Sequence, residues 1–345
     1  MPKGAARRGV PKARLVAEPL LWQARRLSMG RRAAAITGIA EWKAQRIWDR
    51  PMFMLEACAQ LAQEVLADAG IEKDAVDGLL LPPVWESPMF GPSAAAEYLG
   101  LTANFAEVVD LGGATGAGMV WRAAAAIEVG ACETCLVLCP TVPPPPQQGG
   151  DPSELRMPAY LGGDAWGSPQ GQFEIPAGMV AATPSFAQVA QRYRAVHGLR
   201  EETLARIAVH ERDNAQTNER AIFRGKPITV EDVLASRMVC DPLKLLEIVM
   251  PVFGGGAMLI TRLDRAKKGP HRPAIISGFG EHLTHKSVTY MPDLLDTPIR
   301  VAAERAFAMA GAKREAVDIA CPYDCFTITV VLTLEDAGFA KKGHG

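Results

Sequence analysis

The sequence has almost no net charge and no long apolar run. Its 345 residues include 37 Lys and Arg against 38 Asp and Glu, which leaves a formal charge of -1 at pH 7. A balance of this kind gives no electrostatic footprint for nucleic acid. No apolar stretch approaches the roughly 20 residues that a membrane-spanning helix needs. With 48% hydrophobic residues, the chain is predicted to form one large or two closely joined globular units, with no nucleic-acid partner and no membrane span.

The cysteines are few and lack the spacing of a disulfide framework. Their number, seven, is odd, which favours a reducing, cytoplasmic setting. Cys132, Cys135 and Cys139 lie in "CETCLVLC", which contains a Cys-x-x-Cys pattern but runs into a predicted buried strand. We therefore expect packing as small hydrophobic groups rather than zinc or redox chemistry. Cys321 and Cys325 have no histidine nearby, so the evidence for a metal there is weak.

Histidine spacings typical of metal enzymes are also missing. His197, His210, His282 and His285 lie in predicted helices or loops without an HExxH-type arrangement. No metal site is predicted, and His285 stays a weak candidate for a site that faces the central insertion. His344 lies in a glycine-rich run and is given no role.

The first 32 residues differ from the rest of the chain. They are rich in Lys and Arg, and Glu18 is their only acid. An organelle presequence can have this composition. We favour the simpler interpretation of a disordered extension, or of a start codon placed too early, with Met29 as the natural beginning.

Strand and helix signals alternate from Ala33 onward. Apolar runs predict strands at residues 33–40, 77–83, 105–113 and 134–141, and helical periodicity predicts helices at residues 52–69, 93–100 and 114–130. Gly70 stands where a helix usually ends. This alternation predicts an α/β protein with a mostly parallel sheet and helices on its faces.

An internal repeat divides the chain into two halves. "AGIEKDAVD", which starts at Ala69, matches "AGAKREAVD", which starts at Ala310. Each copy is predicted to end a helix at glycine, to form a short charged turn and to enter a buried strand, "GLLLPP" in the first and "IACPYD" in the second. Repeats this far apart indicate two similar α/β halves rather than a solenoid.

The predicted domains follow from this repeat. The first half covers residues 33–265 and the second half residues 266–345. Between the repeats lie a Pro/Gly-rich linker, "TVPPPPQQGGDP", and two helical stretches at residues 185–198 and 201–221. We interpret residues 142–235 as a lid-like insertion into the first half.

Several segments together resemble the thiolase superfamily, in its sterol-carrier-protein-x and lipid-transfer branch. They are "VVDLGGATGAGM", "FAQVAQRYRAVHG", "NAQTNERAIFRGKPITVEDVLAS", "GGGAMLI" and "YDCFTITVVLTLEDAGF". The resemblance implies a thiolase-like fold, with two βαβ-rich halves in a layered αβαβα arrangement and an inserted loop domain. It also implies acyl-CoA substrates, with coenzyme A as part of the substrate and no other cofactor. A homodimer built on the sheet of the first half, through "TCLVLCPT", and a small OB-fold, zinc-ribbon partner are further expectations.

The thiolase nucleophile has no counterpart in the matching stretch. A working thiolase carries a cysteine where a strand runs into the central helix, and here Gly113 holds that position. Glycine cannot form an acyl-enzyme, which excludes covalent Claisen chemistry there. The amides of Gly113, Ala114, Thr115 and Gly116 can instead hold a thioester enolate oxygen at the helix N-terminus. The alternative is that these glycines only allow tight strand–helix packing.

Tyr323 is the predicted catalytic residue. Tyr323-Asp324-Cys325-Phe326 resembles the Tyr-Asp-Ser/Cys-Phe signature of thiolase-like aldolases that cleave steroid side chains. Tyrosine can donate or accept a proton when its surroundings tune it. Asp324 and Phe326 are placed in the substrate-binding set. The alternative is that Tyr323 is a core aromatic residue with a hydrogen-bonded hydroxyl.

The resemblance leads to one main function and two alternatives. The main hypothesis is retro-aldol cleavage of a steroid-like 3-hydroxyacyl-CoA. The alternatives are a non-catalytic acyl-CoA-binding or scaffold subunit, and an acyltransferase similar to acetyl-CoA acetyltransferase. Thiolases continue beyond the point matched by "KKGHG" with a strand pair and a histidine loop, so the second half is expected to be incomplete.

Overall fold

The computed structural model of the chain describes residues 33–48, 52–143 and 167–344. The predicted basic extension and most of the predicted Pro/Gly-rich linker lie outside these residues. The strands are β1 (Ala34–Glu41), β2 (Gly78–Leu81), β3 (Phe105–Val108), β4 (Thr134–Thr141), β5 (Met238–Cys240), β6 (Leu243–Lys244), β7 (Gly254–Arg262) and β8 (Ala274–Ile275). Strands and helices alternate through the first half, which confirms the α/β prediction.

The helices frame this sheet and build the insertion. They are α1 (Met54–Ala69), α2 (Gly91–Leu99), α3 (Thr115–Val129), α4 (Ala182–His197), α5 (Glu201–Thr217), α6 (Val230–Ala235), α7 (Leu263–Ala266), α8 (Ile299–Ala310) and α9 (Thr327–Asp336). None of the helices in the described ranges is both long and apolar enough to cross a bilayer.

A six-stranded sheet forms the centre of the first half, in the order β3-β2-β4-β7-β1-β8. β2 pairs in parallel with β3 and β4, whereas β7 lies antiparallel between β4 and β1. The sheet is therefore mixed, and the prediction of a mostly parallel sheet needs this correction. The strand that makes the difference, β7, begins with three glycines, which are weak strand formers in isolation.

Alternate residues of each strand face opposite sides of the sheet. Leu79 and Leu81 of β2 pack in the cluster beneath α1, and Leu80 packs in the cluster beneath α3. Cys132 and Cys135 are buried in the α3 cluster, which confirms that they pack as small hydrophobic groups. Both faces of the sheet are thus covered, and the residues that follow β3 lead directly into α3.

The sequence repeat has a structural counterpart only in part. Gly70 and Gly311 both end a helix in the left-handed conformation, with φ of 62° and 64°, and each precedes a short 3-10 turn. The first copy then enters the buried strand β2. The second copy continues as extended chain with Ile319 80% exposed, so the prediction of a buried strand at "IACPYD" is wrong. No strand of the described residues pairs with it, and an unpaired extended segment cannot be buried without leaving polar backbone groups unsatisfied.

The insertion packs against the second half through α9. Ala190 of α4, Leu204 of α5 and Val331 of α9 belong to one buried cluster. Within it, the Tyr193 hydroxyl donates a hydrogen bond to the carboxylate of Glu335 on α9. These contacts hold the middle and the end of α9 against the insertion, and Tyr323 lies just before the start of this helix.

A second connection joins the two halves near α3. Glu281 accepts hydrogen bonds from Trp121 at 2.7 Å and from Arg122 at 2.8 Å. The segment that carries Glu281 also runs close to α8, because a Cβ built at Gly280 would overlap the carbonyl oxygen of Ala302. Only glycine allows this approach.

Replacement of Gly280 by alanine tests this close approach. The obstacle is backbone, which cannot rotate away as a side chain can, so Gly280→Ala should lower the free energy of unfolding by about 1–3 kcal/mol. The matched control is Gly254→Ala, because the nearest atom to a Cβ there is 3.7 Å away. Urea unfolding of both variants gives the comparison. Equal stability of the two variants would contradict the packing described here.

Candidate active site

The site forms where the starts of α3 and α9 meet. A 3-10 turn over Gly112–Ala114 leads into α3, and the extended residues 319–326 lead into α9. Tyr323 lies four residues before α9 and Gly113 two residues before α3. The two halves of the chain therefore each contribute one predicted site residue to the same place.

The ring of Tyr323 lies directly against Gly113. A Cβ built at Gly113 would come within 2.5 Å of the Tyr323 hydroxyl oxygen and closer still to two ring carbons. No real Cβ contact is that short, so a side chain at position 113 would require the ring to move. Tyr323 is 50% exposed, which contradicts the alternative of a core aromatic residue. Gly113 and Tyr323 are thus a sterically matched pair.

The N-terminus of α3 is open beside this pair. Ala114, the N-cap, has no capping side chain, and nothing lies within 4 Å of a Cβ built at Gly116. The Thr115 hydroxyl donates to the Gly112 carbonyl at 2.7 Å and accepts from the Leu111 amide at 2.9 Å, so it is occupied within the turn. The amides of Ala114 and Thr115 donate to the carbonyls of Leu111 and Gly112. Of the four predicted amides, those of Gly113 and Gly116 are therefore the candidates to meet an oxyanion.

The sequence left two interpretations of the glycines around α3, ligand binding and tight packing, and each applies to different glycines. A Cβ at Gly118 would come within 2.5 Å of the Leu111 side chain, so this glycine serves packing between the turn and the helix. Gly112 and Gly116 face open space instead. Packing therefore explains Gly118, whereas a ligand has room to approach the backbone at Gly112 and Gly116. The Gly112 amide itself donates to the Asp110 carboxylate at 3.3 Å.

The thiol of Cys325 supports Tyr323 but is not a nucleophile. Burial is the largest cause that raises the pKa of Cys325, and hydrogen bonds with Thr329, the Phe326 amide and Tyr323 act in the opposite direction. The thiol is therefore protonated at neutral pH. Cys321 is exposed. Across the described residues, no group of three or more His, Cys, Asp or Glu could hold a metal ion.

A cavity of about 310 Å³ opens beside Tyr323 and is called the tyrosine pocket. Its walls come from the insertion, from residues 285–299 and from α9. Its apolar lining includes Phe186, Val189, Met291, Leu294, Ile299 and Leu332, and its polar lining includes Gln170, Glu174, His285, Lys286 and Ser287. The pocket offers an apolar body with a polar wall, which is typical of small-molecule sites.

His285 lies in this pocket together with Tyr323. Burial lowers its pKa, so the imidazole is neutral at physiological pH, and its Nδ1 is 2.7 Å from the Thr284 hydroxyl. The sequence made His285 a weak candidate. Gln170, Glu174 and Ser287 were missed, because they are single polar residues in segments without any chemical motif.

Asp324 and Phe326 do not join Tyr323 in the pocket. Neighbouring residues of an extended chain point in opposite directions, and Asp324 lines a separate cavity of about 930 Å³ with His210 and Glu211 of α5. Phe326 is buried and stacks on Phe186, with ring centroids 4.4 Å apart. Of the predicted site, Gly113 and Tyr323 come together and these two residues lie elsewhere.

The carboxyl of Glu211 should make stability depend on pH. Burial, with the charge of Asp324 as the second cause, raises the pKa of Glu211 from 4.5 to about 7. The folded state then holds a proton that the unfolded chain releases, so this stabilisation is complete below pH 4.5 and is lost as the pH rises through 7. Glu211→Gln, which cannot ionise, should therefore melt at a higher temperature than wild type at about pH 8 and equally at about pH 4.

Thermal melts across this pH range test the expectation, with Glu202→Gln as the control. Glu202 lies on the same helix and lines the same cavity, but it is exposed. A melting difference for Glu211→Gln that stays constant with pH would exclude the raised pKa as its cause.

Comparisons with known proteins identify relatives of this chain. Residues 280–345 match the model of a family described as thiolase C-terminal domain-like. A steroid side-chain-cleaving aldolase from Thermomonospora curvata is 30% identical, over 90% of this chain and 79% of the relative. A 17-hydroxy-3-oxo-4-pregnene-20-carboxyl-CoA lyase from Mycobacterium tuberculosis is 28% identical, over 90% of this chain and 80% of the relative.

Solved structures show the same fold. The Ltp2-ChsH2(DUF35) aldolase superposes with a TM-score of 0.78 at 27% identity, over 91% of this chain and 78% of that one. A thiolase-like protein from Mycobacterium smegmatis, monomeric and of the SCP2 type, gives a TM-score of 0.66 at 18% identity, over 90% of this chain and 64% of that one; it supports the fold alone. The chain belongs to the thiolase superfamily, in the sterol-carrier-type thiolase-like branch that includes the steroid side-chain-cleaving aldolases.

Proposed function

We propose that the protein is a thiolase-like lyase that cleaves a 3-hydroxyacyl-CoA by a retro-aldol reaction. The main observation in support of this proposal is the close contact of the Tyr323 ring with Gly113. The position that holds the nucleophile in a thiolase here only makes room for a proton-transfer group. The names of the two relatives, an aldolase and a lyase, support the same reaction class.

The proposed chemistry needs one proton path and one oxyanion site. A base takes the proton of the 3-hydroxyl, the Cα–Cβ bond breaks, and the new carbonyl leaves as an aldehyde or ketone. The electron pair of that bond passes to the thioester as an enolate, which then gains a proton at Cα. Tyr323 is placed to move these protons, and the open amides at the start of α3 are placed to stabilise the enolate oxygen.

An acyltransferase function is disfavoured by the same geometry. Such an enzyme of the thiolase kind needs an acylated cysteine, and the cysteines near Tyr323 are the buried, protonated Cys325 and the exposed Cys321. A non-catalytic acyl-CoA-binding subunit remains the alternative, and turnover by the wild-type protein separates a lyase from it.

Tyr323→Phe should abolish turnover while the fold is retained. The variant keeps the ring against Gly113 and removes only the hydroxyl. Loss of general acid–base catalysis lowers the rate about 10²–10⁴-fold, whereas loss of one neutral hydrogen bond lowers the stability by about 1 kcal/mol. Turnover of the CoA thioester named for the mycobacterial relative and thermal melting are measured on the same preparation.

Two further variants sharpen this test. Tyr98→Phe is the matched control, since Tyr98 is 54% exposed on α2 and lies outside the tyrosine pocket. Gly113→Ala keeps the phenol but displaces it, so turnover should fall here too. Wild-type turnover in Tyr323→Phe would remove Tyr323 from catalysis, whereas binding of the thioester without turnover by the wild-type protein would favour the binding subunit.

We also infer that the protein is a cytoplasmic homodimer. The strand expected to mediate the contact, β4, is paired on both sides with β2 and β7, so it cannot form an intermolecular pair. In the described residues β3 and β8 are the two edges of the sheet, and Met89 and Phe90 are exposed at the start of α2, which packs beside β3. The seven cysteines, all free thiols, favour a reducing compartment.

Sedimentation at micromolar concentration tests the dimer. Wild-type protein should sediment as a dimer, and Met89→Asp should shift it towards monomer because a charge would be buried in the contact. Leu283→Asp, at an exposed apolar residue of the second half, is the control. A wild-type monomer would exclude the dimer. The name of the Ltp2-ChsH2(DUF35) aldolase contains a second component, which supports a partner protein here. A requirement of turnover for a second protein would indicate the small OB-fold, zinc-ribbon partner expected from the resemblance.

A further inference from the structure

We propose that Ser287 is a specificity-determining residue of the tyrosine pocket, and that its hydroxyl bonds to a second, neutral oxygen on the carbonyl fragment released by cleavage. The ligand class is a compact ring-shaped ketone with an oxygen at its far end. This inference rests on the proposed lyase function, because it assigns the pocket to one of the two products.

Ser287 carries a buried hydroxyl that the protein leaves unsatisfied. Ser287 is 3% exposed and lines the tyrosine pocket. The Ser287 Oγ has no hydrogen-bond partner in the described part of the chain. A buried hydroxyl without a partner is costly and rare in native proteins. A ligand oxygen in the pocket would supply the missing partner.

The polar neighbours of Ser287 are already engaged with each other. The Gln170 side-chain oxygen accepts from Lys286 Nζ at 2.9 Å, and Glu174 accepts from the Thr289 hydroxyl at 2.8 Å. Both acceptors come from a short helical turn of the insertion and hold residues 286–289 in place. Ser287 therefore sits on a fixed wall, which gives its free hydroxyl a defined position.

The charged groups of this wall favour a neutral ligand oxygen over an anionic one. Lys286 attracts an electron-rich group, as does the N-terminus of α4, whose N-cap Ala181 has no capping side chain. Ala182 and Ser185 of that first turn also line the pocket. The buried Glu174 carboxylate in the same wall opposes a full negative charge. A ketone or hydroxyl oxygen satisfies both conditions.

The size and apolar lining of the pocket determine the rest of the ligand. About 310 Å³ lies at the low end of the roughly 300–1,000 Å³ of small-molecule sites. That volume suits a compact apolar body and leaves the coenzyme A portion outside, towards Gly113 and the start of α3. The carbon that becomes the new carbonyl would then lie at the Tyr323 end and the second oxygen at the Ser287 end.

Two steroid ketones that differ by one oxygen test this assignment. Androst-4-ene-3,17-dione carries oxygen at both ends, and androst-4-en-17-one carries it at one end. Calorimetry should show that Ser287→Ala weakens binding of the dione roughly three- to tenfold, the value of one net hydrogen bond, and leaves binding of the monoketone unchanged. Ser236→Ala, at a half-buried serine outside the tyrosine pocket whose hydroxyl donates to the Val233 carbonyl, should change neither.

Thermal melting without ligand shows whether weaker binding by Ser287→Ala comes from a loss of stability. Without ligand, Ser287→Ala should melt at the same or a higher temperature than wild type, because it removes an unsatisfied hydroxyl. Equal weakening of both ketones, or no binding of either by an active wild-type enzyme, would overturn the inference and leave the lyase function intact. Selective binding by a protein without lyase turnover would instead overturn the proposed function and keep the pocket assignment.

Discussion

The contact between the Tyr323 ring and Gly113 is the constraint on which the rest of the site depends. It joins two residues more than 200 positions apart, and it exists because Gly113 has no side chain. The pair also fixes where the two central helices begin, since α3 follows Gly113 and α9 follows Tyr323. A reaction chemistry based on proton transfer and one based on a nucleophile at position 113 therefore exclude each other on steric grounds.

The scaffold holds this contact through interactions at some distance from it. Arg122 of α3 forms an ion pair with Glu281 at 2.8 Å, which ties the first half to the second. Tyr193 of the insertion binds Glu335 near the end of α9. Because the walls of the tyrosine pocket come from the insertion, from residues 285–299 and from α9, the pocket is assembled only when all three are folded. The insertion, which was predicted to be a lid, thus also forms one wall of the tyrosine pocket.

The sequence predicted the parts that depend on local pattern. The strands β1, β2 and β4 and the helices α1 and α3 have strong periodicity, and Gly113 and Tyr323 stand in recognisable contexts. Long-range pairing was not predictable in the same way. β7 begins with glycines and is a strand because β1 and β4 lie on either side of it, whereas "IACPYD" has the composition of a strand but no partner among the described residues. Ser287 and Glu174 gave no signal, because their environment exists only in the folded chain.

Successive side chains of the extended segment before α9 point in opposite directions, so Tyr323 and Asp324 lie in two different electrostatic environments. Tyr323 faces a pocket whose histidine is neutral, since burial lowers the pKa of His285. Asp324 faces the opposite cavity, where its charge is one cause of the raised pKa of Glu211. A reaction that passes through an enolate gains from this arrangement, because an acidic side chain beside the developing oxyanion would oppose it. The single-residue step from Tyr323 to Asp324 keeps the carboxylates of Asp324 and Glu211 out of the tyrosine pocket. The carboxylate that does line this pocket, Glu174, accepts a hydrogen bond from the Thr289 hydroxyl.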